Sequence, residues 1–424
     1  MEKNKKIKIG LIGLGTVGSG VFKTLKSFDN VEITKIAVRN INKKRDIEGL
    51  DNSIITDNAY EVVNDSEIDI VAELVGGLDP AFDLIATAIK NGKHIVTANK
   101  ELLAKRGEEL FNIAEKYNKV ILYEAAIAGG IPIIMPVKTI LAGNKINHIE
   151  AIVNGTTNYI LTKMDVQKAS YNDVLKEAQE LGYAEADPTG DVEGYDAAYK
   201  IATLASITFQ KRIKIENVYR EGITKIRAED MEAANDLGYK IKLIASAHLD
   251  ENDNADVRVH PMLVSKKSTL AHIDYVTNAV SLSGHPVGSI TLSGPGAGEF
   301  PTASSVVGDI LAIAAELGKS EYILPMMRCK HNSTANMTDI SETTNKYYLS
   351  IHAKNNKGVI GKIGTICADN DISLASIVQR CVSDDNTANI TVITELVKEK
   401  NMQNAIKLIE QDGNKVNSLI RVQV

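Results

Sequence analysis

Nowhere in this 424-residue chain does an apolar run approach the roughly 18 to 20 residues that span a bilayer, so no membrane-crossing helix is expected. Cysteine is scarce. Cys329, Cys367 and Cys381 are odd in number, widely spaced and without a CxxC pair, which argues against a disulfide framework or a structural zinc and for a reduced, cytoplasmic chain. The eight histidines show no HxxH or HxxxH spacing, so a catalytic zinc is not expected either. Clustered basic charge is missing too: the formal net charge is −6 with the signs interspersed, which argues against nucleic acid as a partner and leaves small molecules. The start, MEKNKK, is basic like the first region of a signal peptide, but the glycine-rich IKIGLIGLGTVGSG that follows lacks a small-residue cleavage site. What is present is ordinary for a soluble globular protein, with 44% hydrophobic and 24% charged residues. The length suits two to four domains of about 100–200 residues each.

Residues 6–14 form an apolar run ending in a glycine cluster; 17–28 then reads as a helix and 32–39 as a second strand. The alternation continues through 68–75, 80–91, 94–98, 102–117 and 120–124, which predicts a doubly wound parallel sheet. Beyond Leu141, long helical segments interleave with strand-like runs at 146–153 and 256–264, the pattern of a mixed α+β domain. The glycine turn 294–298 before the apolar 303–317 is read as returning the chain to the first domain. Residues 329–346 are polar and read as a linker. The tail orders as βαββαβ, a ferredoxin-like sandwich, with Ser383-Asp384-Asp385-Asn386 joining its middle strands. The expected division is an α/β Rossmann domain over 1–140, rejoined by about 295–328, an α+β domain over 141–294, the linker, and a small domain over 347–424.

Gly13-Leu14-Gly15-Thr16-Val17-Gly18 matches GxGxxG, which alone is weak. Ending an apolar strand and opening a helix, it becomes a dinucleotide fingerprint: the glycines allow a tight turn and bring a pyrophosphate close to the helix N-terminal amides. The second strand ends in Ala37-Val38-Arg39-Asn40, without the acid that holds the ribose hydroxyls of NAD. Arg39 suits a 2′-phosphate, which favours NADP and leaves NAD open. Lys43, Lys44 and Arg45 add positive charge nearby, which a solvated basic turn explains equally well. Asp196 and Lys200 stand four apart, on one face of a helix. Such a pair in isolation is by default an exposed ion pair. The loop before it carries Glu185, Asp187 and Asp191, broken by Pro188 and glycines, and is too rich in acid and turn residues for packing alone. Asp191 is open to a second reading, as a helix N-cap.

Together with the fingerprint and the 294–298 turn, Thr97-Ala98-Asn99-Lys100, the stretch 124–132, Gly155-Thr156-Thr157-Asn158 and above all 182–200 resemble homoserine dehydrogenase over residues 1 to about 328. The tail, with its 356–363 turn, resembles an ACT domain, an amino-acid-binding regulatory module. The resemblance implies reversible NAD(P)H-dependent reduction of L-aspartate 4-semialdehyde to L-homoserine in threonine, methionine and isoleucine biosynthesis. It also implies dimerisation through the 141–294 domain and an amino-acid effector, L-threonine first, at Asn356, Gly358 and Val359. Glu185 is then expected to take the substrate ammonium, Gly155 and Thr156 its carboxylate, with Asp191 in the same substrate site. Lys100, Gly76 and Gly298 join the cofactor contacts, Lys100 also touching substrate. Hydride transfer to an aldehyde leaves an alkoxide that must be protonated as it forms. The resemblance gives that role to Lys200, with Asp196 orienting it and favouring its charged form. Alcohol oxidation needs the amine neutral and is therefore expected to favour alkaline pH. Glu124 with the backbone of Ile127, Gly129 and Ile131 matches a loop that holds a monovalent cation, usually sodium.

Two rival readings meet opposition in the residues. A non-catalytic Rossmann and ACT sensor of redox state and amino acid is opposed by the intact Lys200, Asp196 and Glu185. An acylating aldehyde dehydrogenase such as aspartate semialdehyde dehydrogenase needs a cysteine nucleophile, and no cysteine precedes Cys329.

Overall fold

The structure is a computed structural model that describes residues 6–317, 331, 333–382 and 387–423, the side chains of 380–382 excepted. Cys329, the side chain of Cys381, residues 318–330 of the expected return and linker, and the 383–386 turn lie outside the described residues. Two compact units emerge. One takes residues 1–153, 196–218 and 277–335, the other 154–195, 219–276 and 336–424.

The first unit holds a six-stranded parallel sheet of strands Ile7–Ile12, Val31–Ala37, Ile55–Thr56, Ile70–Glu73, His94–Thr97 and Ile121–Leu122. Numbered in chain order, they run 3-2-1-4-5-6, the doubly wound arrangement. A parallel sheet is covered on both faces, so its strands must be apolar on both sides. Ile9, Leu11, Ile70, Val71, Ala72, Ile95 and Val96 are accordingly all buried. The helix Glu299–Glu316 returns from far along the chain and joins this core: its Ala303, Val306, Val307 and Ile310 share one apolar cluster with Val21, Phe22 and Leu25 of the helix Thr16–Leu25. An antiparallel trio, Lys145–Ile152 with Thr277–His285 with Gly288–Pro295, and the buried helix Tyr195–Phe209 belong to the same unit. Packing thus divides the chain differently from the expected cuts near 141 and 295. Those cuts followed the change in strand and helix pattern, whereas compactness follows which segments share a core.

The second unit contains the helices Gly155–Gln167 and Tyr171–Glu180 and a long antiparallel pair, Tyr239–Leu249 with Asn254–Ser265. Its C-terminal part is built on the strands Thr344–Lys354, Leu374–Val382, Thr387–Thr394 and Lys415–Val422, laterally ordered fourth, first, third, second, with the short Val397–Lys398 paired to the start of the first. Helices Val359–Asp369 and Glu399–Gln411 cover this sheet through Ile363, Cys367, Met402, Ala405 and Ile409, which pack on Tyr347, Leu349 and Ile351. This is the ferredoxin-like sandwich expected from βαββαβ. The fourth strand also pairs with Asn254–Ser265, matching Arg421 to Met262 and Val422 to Leu263.

The described part of 329–346 is not a slack linker. Ser333–Thr334 pairs with Lys211–Arg212, Asn336–Met337 pairs with Asn254–Ala255, and Ile340–Glu342 forms a 3₁₀ turn before a strand that already starts at Thr344. Polar composition concealed pairings that need only backbone groups. Among the described residues no helix is long and apolar enough to cross a membrane.

The returning helix makes a checkable demand on Gly20. A Cβ there would lie 2.6 Å from the Glu299 carbonyl oxygen and 3.0 Å from the Ala303 Cβ. Gly20→Ala is expected to destabilise the folded chain by about 1–3 kcal/mol through overpacking. A lowered denaturant midpoint at unchanged slope would report it, and an unchanged midpoint would mean the two helices part easily.

Candidate active site

At the carboxyl edge of the parallel sheet, Gly13 takes a left-handed φ of 106°, and its amide donates to the Ala37 carbonyl at 2.9 Å. A Cβ at Gly18 would fall 2.2 Å from the Gly13 carbonyl oxygen, so the helix can start this close to the strand only with glycine. Gly15 caps the helix Thr16–Leu25, and a Cβ there would meet open space. Its need for glycine is therefore not set by protein packing, which suits close approach of a phosphate to the amides of Thr16, Val17 and Gly18. Beside this turn is a cavity of about 230 Å³ whose walls include Arg39, Asp57, Val75, Gly76 and Asp79. Arg39 and Asp57 are both exposed, and no ion pair joins them among the described residues. Asp57 was missed in the sequence because it follows a strand of only two residues, Ile55–Thr56, too short to show a period. Gly298, with φ 117°, precedes the returning helix, and the neighbouring Pro295 carbonyl accepts from Gly130.

The same unit brings together Lys100, Asp196 and Lys200. Asn99 caps the helix Lys100–Lys116 by accepting from Leu102, which places Lys100 at its first turn. Asp196 and Lys200 sit one turn apart on Tyr195–Phe209 and are both buried, at 8% and 9% exposure. Asp196 accepts from Lys200 Nζ at 2.7 Å through one oxygen and pairs with Lys100 Nζ at 2.7 Å through the other. Lys200 also donates to the Val153 carbonyl at 2.6 Å. Burial alone would push the Asp196 carboxyl up, but the two ammonium groups outweigh it and hold the group well below the usual carboxylate range. The arrangement buries the Lys200 amine against a carboxylate that stays ionised.

The second unit carries the remaining expected substrate residues. Asn154 caps the helix Gly155–Gln167 through the Thr157 amide and donates to Asp191 Oδ1 at 2.7 Å. Asp191 lies inside the short helix Thr189–Val192, whose cap is Pro188, so the N-cap reading of Asp191 is not what the backbone shows. The Thr156 hydroxyl donates to the Tyr183 carbonyl at 2.7 Å and so ties the helix start to the 182–194 loop. Glu185 is exposed on that loop, and its carboxylate has no partner among the described residues.

Glu124 answers differently from the expectation of a cation. Its carboxylate accepts from the amides of Ile133, Ile134 and Met135, and the Gly129 carbonyl accepts from Ser305 Oγ at 2.6 Å. The protein's own amides thus occupy the Glu124 carboxylate, and the cation expected there with the backbone of Ile127, Gly129 and Ile131 is left without support. In the tail, Asn356, Gly358 and Val359 line a cavity of about 570 Å³ with Lys354, Lys357 and the ion pair Lys362–Asp412. Gly358, at φ 89°, caps the helix Val359–Asp369.

Comparisons with known proteins bear on both units. The homoserine dehydrogenase model matches residues 132–311, the homoserine dehydrogenase NAD-binding domain matches 13–124, and the ACT domain matches 347–414. A homoserine dehydrogenase of Synechocystis is 40% identical, covering 98% of this chain and 99% of its own, and one of Bacillus subtilis is 37% identical over 95% and 94%. The crystal structure of a homoserine dehydrogenase from Thiobacillus denitrificans superposes with a TM-score of 0.93 at 39% identity, covering 99% of this chain and 98% of that one. A hyperthermophilic archaeal homoserine dehydrogenase in complex with NADPH matches at 27% identity and a TM-score of 0.63, over 74% of this chain and 99% of its own. Near-complete coverage at this level of identity leaves one family, and the chain belongs to the homoserine dehydrogenases, NAD(P)-dependent oxidoreductases, with an ACT domain at its C-terminal end.

Proposed function

We propose that the chain reduces L-aspartate 4-semialdehyde to L-homoserine with NADPH in preference to NADH, that Lys200 delivers the proton, and that an amino acid, L-threonine first, restrains the reaction through the tail. The observation that carries the chemistry is the buried Lys200–Asp196–Lys100 array. When bound, the reduced nicotinamide supplies the hydride that reaches the aldehyde carbon. Lys200 passes a proton to the carbonyl oxygen as negative charge develops there. Asp196 keeps that ammonium in place and charged, and Lys100 balances the second carboxylate oxygen. Glu185 takes the substrate ammonium, and the amides of Gly155 and Thr156 serve its carboxylate. Since the Thr156 hydroxyl is spent on Tyr183, only its backbone is assigned this work. Asp191 acts through Asn154, as a support for the same helix start.

Lys200→Ala is expected to lose about 10²–10⁴-fold in turnover while NADPH binding persists, as removal of a positioned acid does. Asp196→Asn provides the accompanying pH signature. With its negative neighbour gone the ammonium is less favoured, so the neutral amine required for homoserine oxidation appears at lower pH and the alkaline rise of the oxidation profile moves acidward. Near wild-type turnover in the alanine variant, or an unmoved profile in the asparagine variant, refutes the assignment.

Cofactor choice is read from the cavity by Arg39, whose guanidinium can pair with a 2′-phosphate. Asp57 on the same wall accepts a ribose hydroxyl, so NAD is used as well, less efficiently. Arg39→Asp should move the ratio of kcat/KM values towards NAD by tenfold or more, and an unchanged ratio makes Arg39 a surface charge.

The tail reading rests on the open left-handed turn at Gly358 and the helix amides behind it, a seat for an amino-acid carboxylate. Inhibition requires the ligand to prefer a less active arrangement, because equal affinity for both shifts nothing. Titration with L-threonine should inhibit, and Asn356→Ala should weaken that inhibition at least tenfold with basal activity kept. A response untouched by the variant moves the effector site elsewhere.

A further inference from the structure

Glu73 ends the strand Ile70–Glu73 with no exposed surface, yet it carries a carboxylate, and no lysine or arginine pairs with it among the described residues. Its donors are all neutral. Oε1 accepts from the amides of Val75 at 2.9 Å and Gly76 at 3.0 Å, and Oε2 accepts from Thr97 Oγ1 at 2.7 Å. Thr97 ends the adjacent strand, directly opposite Glu73 in the ladder, and is itself fully buried. Its hydroxyl oxygen accepts from the Asn99 amide at 3.0 Å, while Asn99 Nδ2 donates to the Gly77 carbonyl at 2.7 Å and Asn99 Oδ1 caps the helix that begins with Lys100.

Thr97 accepts from the Asn99 amide with one lone pair and donates its one proton to Glu73 Oε2, so both Glu73 oxygens act as acceptors. An amide side chain keeps only one acceptor and could meet Thr97 only by donating to its second lone pair, which leaves the hydroxyl proton without this partner. A buried carboxylate is costly unless its lone pairs are filled, so an apolar residue would be the cheaper occupant if only the core were at stake. What the carboxylate holds is the 75–77 loop, in which Gly76 and Gly77 both take a left-handed φ of 74°. That loop leaves the fourth strand beside the first, where the strand order reverses and doubly wound sheets bind their ligands. Val75 and Gly76 line the cavity that also contains Arg39.

We propose that Glu73 is a positioning residue for hydride transfer: through Thr97 and Asn99 it fixes the 75–77 loop that walls the dinucleotide seat and, in the same network, the helix start that presents Lys100. The proposal rests on the reading of that seat as the cofactor's and of Lys100 as part of the proton site. Its primary readout is cofactor affinity, which does not depend on whether Lys200 is the proton donor.

The test uses the full chain and NADPH. Because the chain has no tryptophan, the emission of bound nicotinamide is read without competing indole fluorescence. Glu73→Gln and Thr97→Val should each raise the NADPH dissociation constant and KM about tenfold and lower kcat, with KM for aspartate semialdehyde within twofold of wild type. Thr97→Ser, which restores the hydroxyl, should return all three values to normal. Thr97→Val carries the test alone if the glutamine variant does not fold. A general structural role would instead lower the melting midpoint and leave the split between the two KM values unmoved. That result, or NADPH affinity within twofold of wild type in folded variants, overturns the proposal.

Discussion

The shared carboxylate of Asp196 is the constraint from which the rest of the catalytic unit follows. One oxygen faces Lys200 on its own helix, and the other faces Lys100 at the first turn of a helix almost a hundred residues earlier. Unit charges about 4 Å apart attract by about 4 kcal/mol at an effective dielectric near 20, enough to keep a nearly buried acid ionised when two cations share it. The pairing is local for Lys200 and long-range for Lys100, so the same contact that holds the proposed proton donor also pins the helix Tyr195–Phe209 to the carboxyl end of the sheet. Removing one member of such a set leaves buried charge uncompensated, at a cost of about 3–5 kcal/mol. Folding and the proposed proton transfer consequently depend on the same atoms.

Much of this was legible in the residues. Glycine spacing between a strand and a helix marked the dinucleotide turn because close approach excludes a Cβ, and the four-residue interval between Asp196 and Lys200 put both on one helix face, where the acid-rich loop before them argued against a merely exposed pair. What stayed hidden has physical reasons. Asp57 follows a strand of two residues and the 333–337 pairings are made by two more, and such strands have no period to detect. Glu73 sits in an apolar strand, where a lone acid reads as the strand's end rather than as a hub, and its three donors lie on segments up to 24 residues away. Glu124 and Thr156 were assigned to ligands that the sequence cannot weigh against the protein's own amides and carbonyls. The division into units was the least legible, since three separate stretches build each one.

The ACT tail is bound into the second unit by more than its own sheet. Arg421, buried at 1% exposure, pairs with Glu399 within the tail and with Glu221 outside it. Burial alone would depress its ionisation, but the two carboxylates raise it, so the guanidinium stays charged. From Glu221 the neighbouring Arg220 reaches the Glu193 carbonyl and stacks over the Tyr195 ring at 3.4 Å. A continuous run of polar contacts therefore joins the tail's outer strand to the loop that carries Glu185 and Asp191. Contiguity is a structural fact and becomes coupling only if the run has two arrangements of different affinity.

The pairing of Arg421 and Val422 with Met262 and Leu263 has a consequence for the protein's synthesis. A nascent chain that has emerged only as far as residue 414 has already made the strand Asn254–Ser265 but not its neighbour. Tyr219–Arg220 and then Asn336–Met337 cover part of its length earlier, but for the interval the ribosome takes to add some 150 residues its Met262–Leu263 end offers open backbone groups, the kind of edge that recruits other strands. Long-range closure of this sort is slow relative to local helix formation. The second unit is therefore completed late, and its maturation depends on keeping that edge unoccupied until its own partner arrives.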